Sequence, residues 1–213
     1  LGDIKRVYPD YDASNGHKLA GFVWFQGWND MVDGGVYPNR YKPGGYAAYS
    51  ELLAKFIRDV RKDLDAPKLP FVIGVMGAGG PTKLYKSSRY KGVHQNFRDA
   101  MAAPAALPEF QGNVTAVLTE NSWDMELTEL REREQPIKQK AKELNEQVKK
   151  GEITKAESRA AVDKLYADSY TERELTILRK GASNAEFHYL GSAKILGRIG
   201  KAFAEAMHGL IQK

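Results

Sequence analysis

The sequence contains no cysteine, which excludes disulfides, thiolate metal sites and a cysteine nucleophile together, while leaving the redox compartment undecided. Long apolar runs are also missing. No stretch reaches 18 residues, so no segment is expected to span a membrane. The opening, "LGDIKRVYPDYDASNGHKLAGF", lacks the basic and apolar regions of a signal peptide and reads like the interior of a longer protein. Histidine is scarce, with four in all, and no HExxH or related His/carboxylate spacing argues for a metal. The expectation is chemistry that needs no cofactor.

Charge of one sign is not concentrated anywhere. The formal net charge is +5 and the pI near 9.2, yet acidic and basic residues are interspersed rather than blocked. No recognisable reading module accompanies the basic clusters, so no nucleic-acid partner is expected.

What is present suits one domain, or one domain carrying an insertion, in 213 residues. Three apolar runs rich in β-branched and aromatic residues read as buried parallel strands: "AGFVWFQ" at 20–26, "PFVIGVM" at 70–76 and "NVTAVLT" at 113–119. Between the first two, Tyr46, Tyr49, Leu53, Phe56, Ile57, Val60 and Leu64 recur at helical spacing. The second crossover, "VHQNFRDAMAAPAAL", reads as helical around Phe97 to Ala102 before Pro104 interrupts it. Alternating strands and helices predict an α/β layered parallel sheet with functional residues at the carboxyl ends of strands.

From 126 to 180 the chain turns long, charged and helical. Leu127, Leu130, Ile137, Ala141, Leu144 and Val148 form one narrow apolar stripe, Gly151 ends it, and Thr154 with Glu157 makes a capping box that opens another helix. This predicts a helical-hairpin insertion, with Pro136 starting or kinking its first helix. The expected organisation is a sheet core over 1–125, the insertion over 126–180, and a histidine loop with a final amphipathic helix over 181–213. Ile195, Ile199, Phe203, Met207 and Leu210 mark that helix.

Candidate chemistry gathers at two places. "GFVWFQGWND" places Gln26, Asn29 and Asp30 where a hydrophobic run stops, and His188 lies just before the last helix. An imidazole that activates a hydroxyl and fixed donors that stabilise an oxyanion point to nucleophilic hydrolysis. A structural role for His188 is an open alternative. His17 falls in a polar turn, His94 near a helix start and His208 near the terminus.

"VWFQGWND" resembles the third conserved block of the SGNH hydrolases, whose Gly-x-Asn-Asp pattern is met by Gly27, Asn29 and Asp30. The preceding Trp-x-Gln-Gly is similar, more narrowly, to the sialate O-acetylesterase and carbohydrate esterase family 6 branch. "LPFVIGVMG" resembles that branch's next strand, and "FHYLGSAKILGRIGKAFAEAM" its terminal block. The resemblance runs from about 20 to 207 apart from the insertion. It implies a three-layer, flavodoxin-like SGNH sheet and a secreted serine esterase, extracellular or periplasmic, that removes acetyl groups from sugars or polysaccharides. His188 is then the general base and Asn29 an oxyanion donor. Gln26 and Gly27 shape the pocket, and Trp28 and Trp24 offer a sugar-stacking face or belong to the core.

The departures from the family pattern are equally specific. The family's serine belongs to an N-terminal Gly-Gln-Ser-Asn block, which does not occur here. Ser14 has a following Asn but turn-like surroundings, and Ser50, Ser122 and Ser192 fit no nucleophile elbow. The expectation is therefore a portion lacking its nucleophile and inactive alone. Its 20–26 strand becomes an apolar edge that a missing N-terminal segment or a second chain completes. The Asp three residues before the family histidine is here Ala185, and the middle-strand glutamate alternative falls on Val75. Glu120, Glu186 and Asp124 are the candidate acids, with Glu120 best placed past a strand end.

Two rival readings stand beside this one. "GVMGAGGPTK" has the glycines of a phosphate cradle but not the P-loop or dinucleotide spacing, so a tight turn above the sheet accounts for it. A non-catalytic carbohydrate-binding or scaffold module derived from an esterase would explain the absent serine, though not the joint retention of Gln26, Asn29 and His188.

Overall fold

A computed structural model describes residues 3–212. Its sheet is built from β1 (Phe22–Trp24), β2 (Phe71–Val75) and β3 (Val114–Leu118), all parallel and in that spatial order. Phe22 lies opposite Phe71, and Phe71 opposite Val114. β2 is buried along its whole length, which is why its five letters, FVIGV, run without polar alternation.

Successive side chains on a strand point to opposite faces, and the packing partners show what covers each. On one face, Phe56 of helix α2 (Ala47–Asp63) meets Phe22, Trp24 and Phe71 at ring-centroid separations of 5.9, 4.5 and 6.2 Å. Helix α3 (Ser88–Ala102) packs beside α2 and touches β2. On the other face lies α7 (Ala193–Ile211). Gly74 has no side chain where Phe203 of α7 and Phe25 approach; a Cβ there would fall 2.6 Å from each ring. Helices on both faces make three layers, consistent with the layered α/β sheet that the strand and helix alternation predicts.

The three strands fall within the expected runs, but β1 is shorter because only Phe22–Trp24 pairs with a neighbour. Among the described residues its other side is open, with Val23 44% exposed. The chain then turns at Gly27 into a single short helix, α1 (Trp28–Val32). α3 begins at Ser88, well before the expected start near Phe97, so His94 sits in mid-helix and is buried.

The 126–180 region differs from a hairpin. α4 (Met125–Lys149) and α5 (Lys155–Ser169) are followed by a third helix, α6 (Glu172–Lys180). Gly151, at φ 74°, ends the first, and the Thr154/Glu157 capping box opens the second. A second capping box, Thr171 with Glu174, opens the third. Pro136 lies inside α4 rather than at its start. Its ring deprives only the Glu132 carbonyl of a helical donor, and Glu132 is exposed to water. Leu130, Ile137 and Tyr170 form a small separate core, whereas Leu127, one turn earlier, is part of the main one.

Candidate active site

The loop that carries His188 is anchored from below. Tyr189 and Leu190 both adopt left-handed backbone, φ 53° and 59°, a conformation costly for non-glycine residues and kept only where surroundings impose it. Here the surroundings are the core: Tyr189 and Leu190 are 8% and 2% exposed. The Tyr189 hydroxyl accepts from the Gly77 N–H at 2.9 Å and lies 3.1 Å from the Thr119 hydroxyl. Thr119 donates to the Val75 carbonyl at 2.8 Å, so the Tyr189 O–H is the donor in its pair with Thr119. Above this plug the Leu190 carbonyl accepts from the N–H groups of Ser183 and Asn184. His188 is thereby held over the carboxyl ends of β2 and β3.

His188 itself is exposed, and its Nδ1 lies 3.1 Å from Asn184 Oδ1. The same Oδ1 accepts from the Ala185 N–H at 2.7 Å, which fixes the amide so that oxygen, not nitrogen, faces the ring. Nδ1 must then carry the proton, leaving Nε2 as the basic nitrogen of the neutral ring. Asn184, which sequence reasoning passed over in favour of carboxylates, occupies the orienting position.

The candidate acids are placed elsewhere. Glu120, just past β3, pairs with the buried guanidinium of Arg98. Asp124 is 3% exposed, caps α4 through the Leu127 N–H, and pairs with Lys194 at 2.8 Å. Glu186 is exposed and joins no ion pair among the described residues. None of the three hydrogen-bonds to His188, nor does any described serine hydroxyl. Ser14 lies in a turn whose N–H bonds to Asp12, as expected, and the Ser50 hydroxyl donates to the Ala100 carbonyl.

The first block sits across from this loop. Gly27 is buried at φ 152°, with the Phe97 ring where a Cβ would lie, 2.8 Å away. Gln26 is exposed; its side-chain amide donates to Asp30 at 2.9 Å, and its backbone carbonyl accepts from the Tyr49 hydroxyl at 3.2 Å. Asn29 is exposed, and its side chain makes no hydrogen bond among the described residues. Between Gly27 and Asn29, Trp28 packs against Phe187 with centroids 5.5 Å apart, and edge-on against His94 at 5.9 Å. The pair Trp28–Phe187 brings the Asn29 block against the His188 loop. Trp24 instead packs on Phe56 of α2.

A cavity of about 630 Å³ opens beside this junction. Trp28, Tyr85, His94 and Phe187 line one side, and Met125, Thr128, Glu129 and Glu132 of α4 another. Its wall includes Glu186 and Phe187 but not His188. At the wall, the Tyr85 hydroxyl donates to the Ala78 carbonyl at 2.7 Å and accepts from Arg98 at 3.2 Å. Its remaining lone pair takes the His94 Nδ1–H at 3.1 Å, leaving His94 Nε2 without a proton. Burial, reinforced by the Arg98 charge, pushes His94 down to about 4, so the ring is neutral near pH 7. The glycine stretch after β2 is the tight turn expected. Gly79 and Gly80 have φ 82° and 75°, and the carbonyls of Ala78 and Gly80 accept from Arg98.

Against this geometry, the family model described as "Carbohydrate esterase, sialic acid-specific acetylesterase" matches residues 5–111. The chain belongs to this carbohydrate esterase family. The matched stretch holds Gln26, Gly27, Asn29 and the Tyr85–His94–Arg98 cluster, whereas Glu120, Asn184 and His188 lie beyond it. Comparison with the curated proteins and with the solved structures returned no match. Among the described residues of this family member, no helix is long and apolar enough to cross a membrane, and no group of three or more His, Asp or Glu side chains could hold a metal.

Proposed function

We propose that this chain carries the general base and an oxyanion donor of a serine-dependent carbohydrate O-acetylesterase of SGNH type. The supporting observation is the Trp28–Phe187 contact, which brings the Asn29 block and the His188 loop together over the carboxyl edge of a parallel sheet. His188 Nε2 takes the serine proton during attack on the acetyl carbonyl and returns it to the leaving sugar oxygen. It then activates water for deacylation. Asn184 holds the ring in the tautomer this requires. Asn29 offers its unengaged amide to the oxyanion, and Gln26 and Gly27 shape the turn that presents it. An esterase of this kind needs no metal or cofactor.

The serine comes from a segment that pairs along the open side of β1, within the same polypeptide or from a second chain. That strand would place its carboxyl end beside Gln26. Extracellular or periplasmic placement accords with a glycan substrate.

The test is acetyl release from p-nitrophenyl acetate and acetylated xylan by the polypeptide with its nucleophile segment. Asn29→Ala is expected to lower kcat by about a hundredfold with KM little changed. Binding of acetylated glycans without turnover by that polypeptide would instead support a binding module derived from an esterase.

A further inference from the structure

The expected insertion is not remote from the site. The first two turns of α4 contribute Met125, Thr128, Glu129 and Glu132 to the cavity that Trp28 and Phe187 border. At about 630 Å³, the space falls in the range of small-molecule sites, about 300–1,000 Å³. Its aromatic walls suit the apolar faces of a pyranose.

Its charge is distinctive. The lining holds three carboxylates, Glu129, Glu132 and Glu186, against one lysine, Lys86. Lys86 is engaged by Glu132 at 3.2 Å, and neither Glu129 nor Glu186 joins an ion pair among the described residues. Elsewhere on α4 acids are matched: Glu126 pairs with Arg173 at 2.7 Å, and Glu134 with Lys138 at 2.5 Å. His94, being neutral near pH 7, adds no positive charge. A chain of net charge +5 thus presents a locally acidic cavity. The carboxylate of a sialic acid would enter a negative field there, although the family description names that sugar.

We propose that this cavity binds uncharged acetylated sugars and disfavours anionic ones, with Glu129 and Glu132 of α4 as the residues that set the preference. That the ligand is a sugar rests on the carbohydrate-esterase reading; the sign of the discrimination follows from the cavity. Two or three like charges within several ångströms, partly solvated, discriminate by roughly tenfold.

The experiment compares two ligands that differ in charge and by one methyl group, an O-acetylated methyl sialoside and its C1 methyl ester, with an acetylated methyl xyloside as a neutral reference. Affinities for the 213-residue chain are measured by ligand-observed NMR titration. The free acid should bind about tenfold more weakly than its methyl ester. In E129Q/E132Q, two changes at exposed positions, that ratio should fall below about threefold, as it should for the parent chain in 1 M salt, where screening acts within about 3 Å. Equal affinities for acid and ester, a ratio unchanged in E129Q/E132Q, or no binding of either neutral ligand overturns the proposal. Acetyl release is scored separately, in the polypeptide with its nucleophile segment. Charge discrimination without release contradicts the esterase reading alone, whereas equally fast release from acid and ester contradicts this inference alone.

Discussion

Asn184 Oδ1 accepts hydrogen bonds from the Ala185 N–H at 2.7 Å and from His188 Nδ1 at 3.1 Å. The first bond determines which end of the amide faces the ring, and the second therefore determines where the imidazole proton sits. A neutral side chain thus does the orienting usually associated with a carboxylate, without the added stabilisation of an imidazolium that a negative charge would supply.

Asn184→Ala should release this constraint. In the polypeptide with its nucleophile segment, kcat is expected to fall on the order of tenfold or more with KM nearly unchanged, because only proton transfer is affected. Asn184→Asp should restore activity or exceed the parent. Imidazole nitrogen shifts provide a readout in the 213-residue chain: the Nδ1–H form should dominate in the parent and lose its dominance in Asn184→Ala.

Glu120→Gln should act on stability. Arg98 is 3% exposed and would keep its bonds to the Ala78 and Gly80 carbonyls and to Tyr85 while losing its only anionic partner among the described residues. Breaking a buried ion pair on one side costs about 3–5 kcal/mol, reduced to about 2–3 here because Glu120 is partly solvated. Urea unfolding should show that loss, with the His188 tautomer unchanged.

Tyr189→Phe removes the acceptor for the buried Gly77 N–H and the donor to Thr119. A stability loss of about 1–3 kcal/mol is expected from the unsatisfied N–H. Hydrogen exchange at Gly77 should speed up with it.

His94 makes folding pH-dependent. Its folded value, about 4, lies below the ordinary 6.5, so the unfolded chain binds more protons between those values. Its neutral burial is uncompromised above about pH 6.5; stability then falls as pH drops towards 4, by at most about 3 kcal/mol. His94→Gln should flatten that part of the urea-midpoint profile between pH 7 and 4.5.

Much of the sheet was legible because β2 is buried on both faces and therefore spelled almost entirely in apolar residues. The amphipathic stripes of α2 and α7, and the Thr154 capping box, were equally plain. α3 hid its first half because its inward face there includes His94, and Arg98 follows one turn later; polar letters read as surface unless their partners are known. α6 was missed for want of a Gly or Pro break: Tyr170 ends α5, and the Thr171/Glu174 box restarts the helix at once. At the candidate site, the Gln26–Asp30 cluster and His188 could be picked out by residue type, but their meeting depends on Trp28, readable either as a sugar-stacking or as a core residue, and on Phe187, to which no sequence signal gives a role. Asn184 carries no charge to mark it as an orienting group, and the cavity wall on α4 is hidden because a charged helix reads as a solvated one.

The decisive measurement is acetyl release from p-nitrophenyl acetate and acetylated xylan by three proteins: the 213-residue chain, the chain extended by the serine-bearing segment, whether joined to it or added as a second chain, and the extended protein with His188→Ala. A serine esterase assembled as proposed requires release by the extended protein, loss of about a hundredfold or more in His188→Ala, and none by the 213 residues alone. Release by the short chain, or by His188→Ala at the parental rate, would contradict it, as would no release from any of the three.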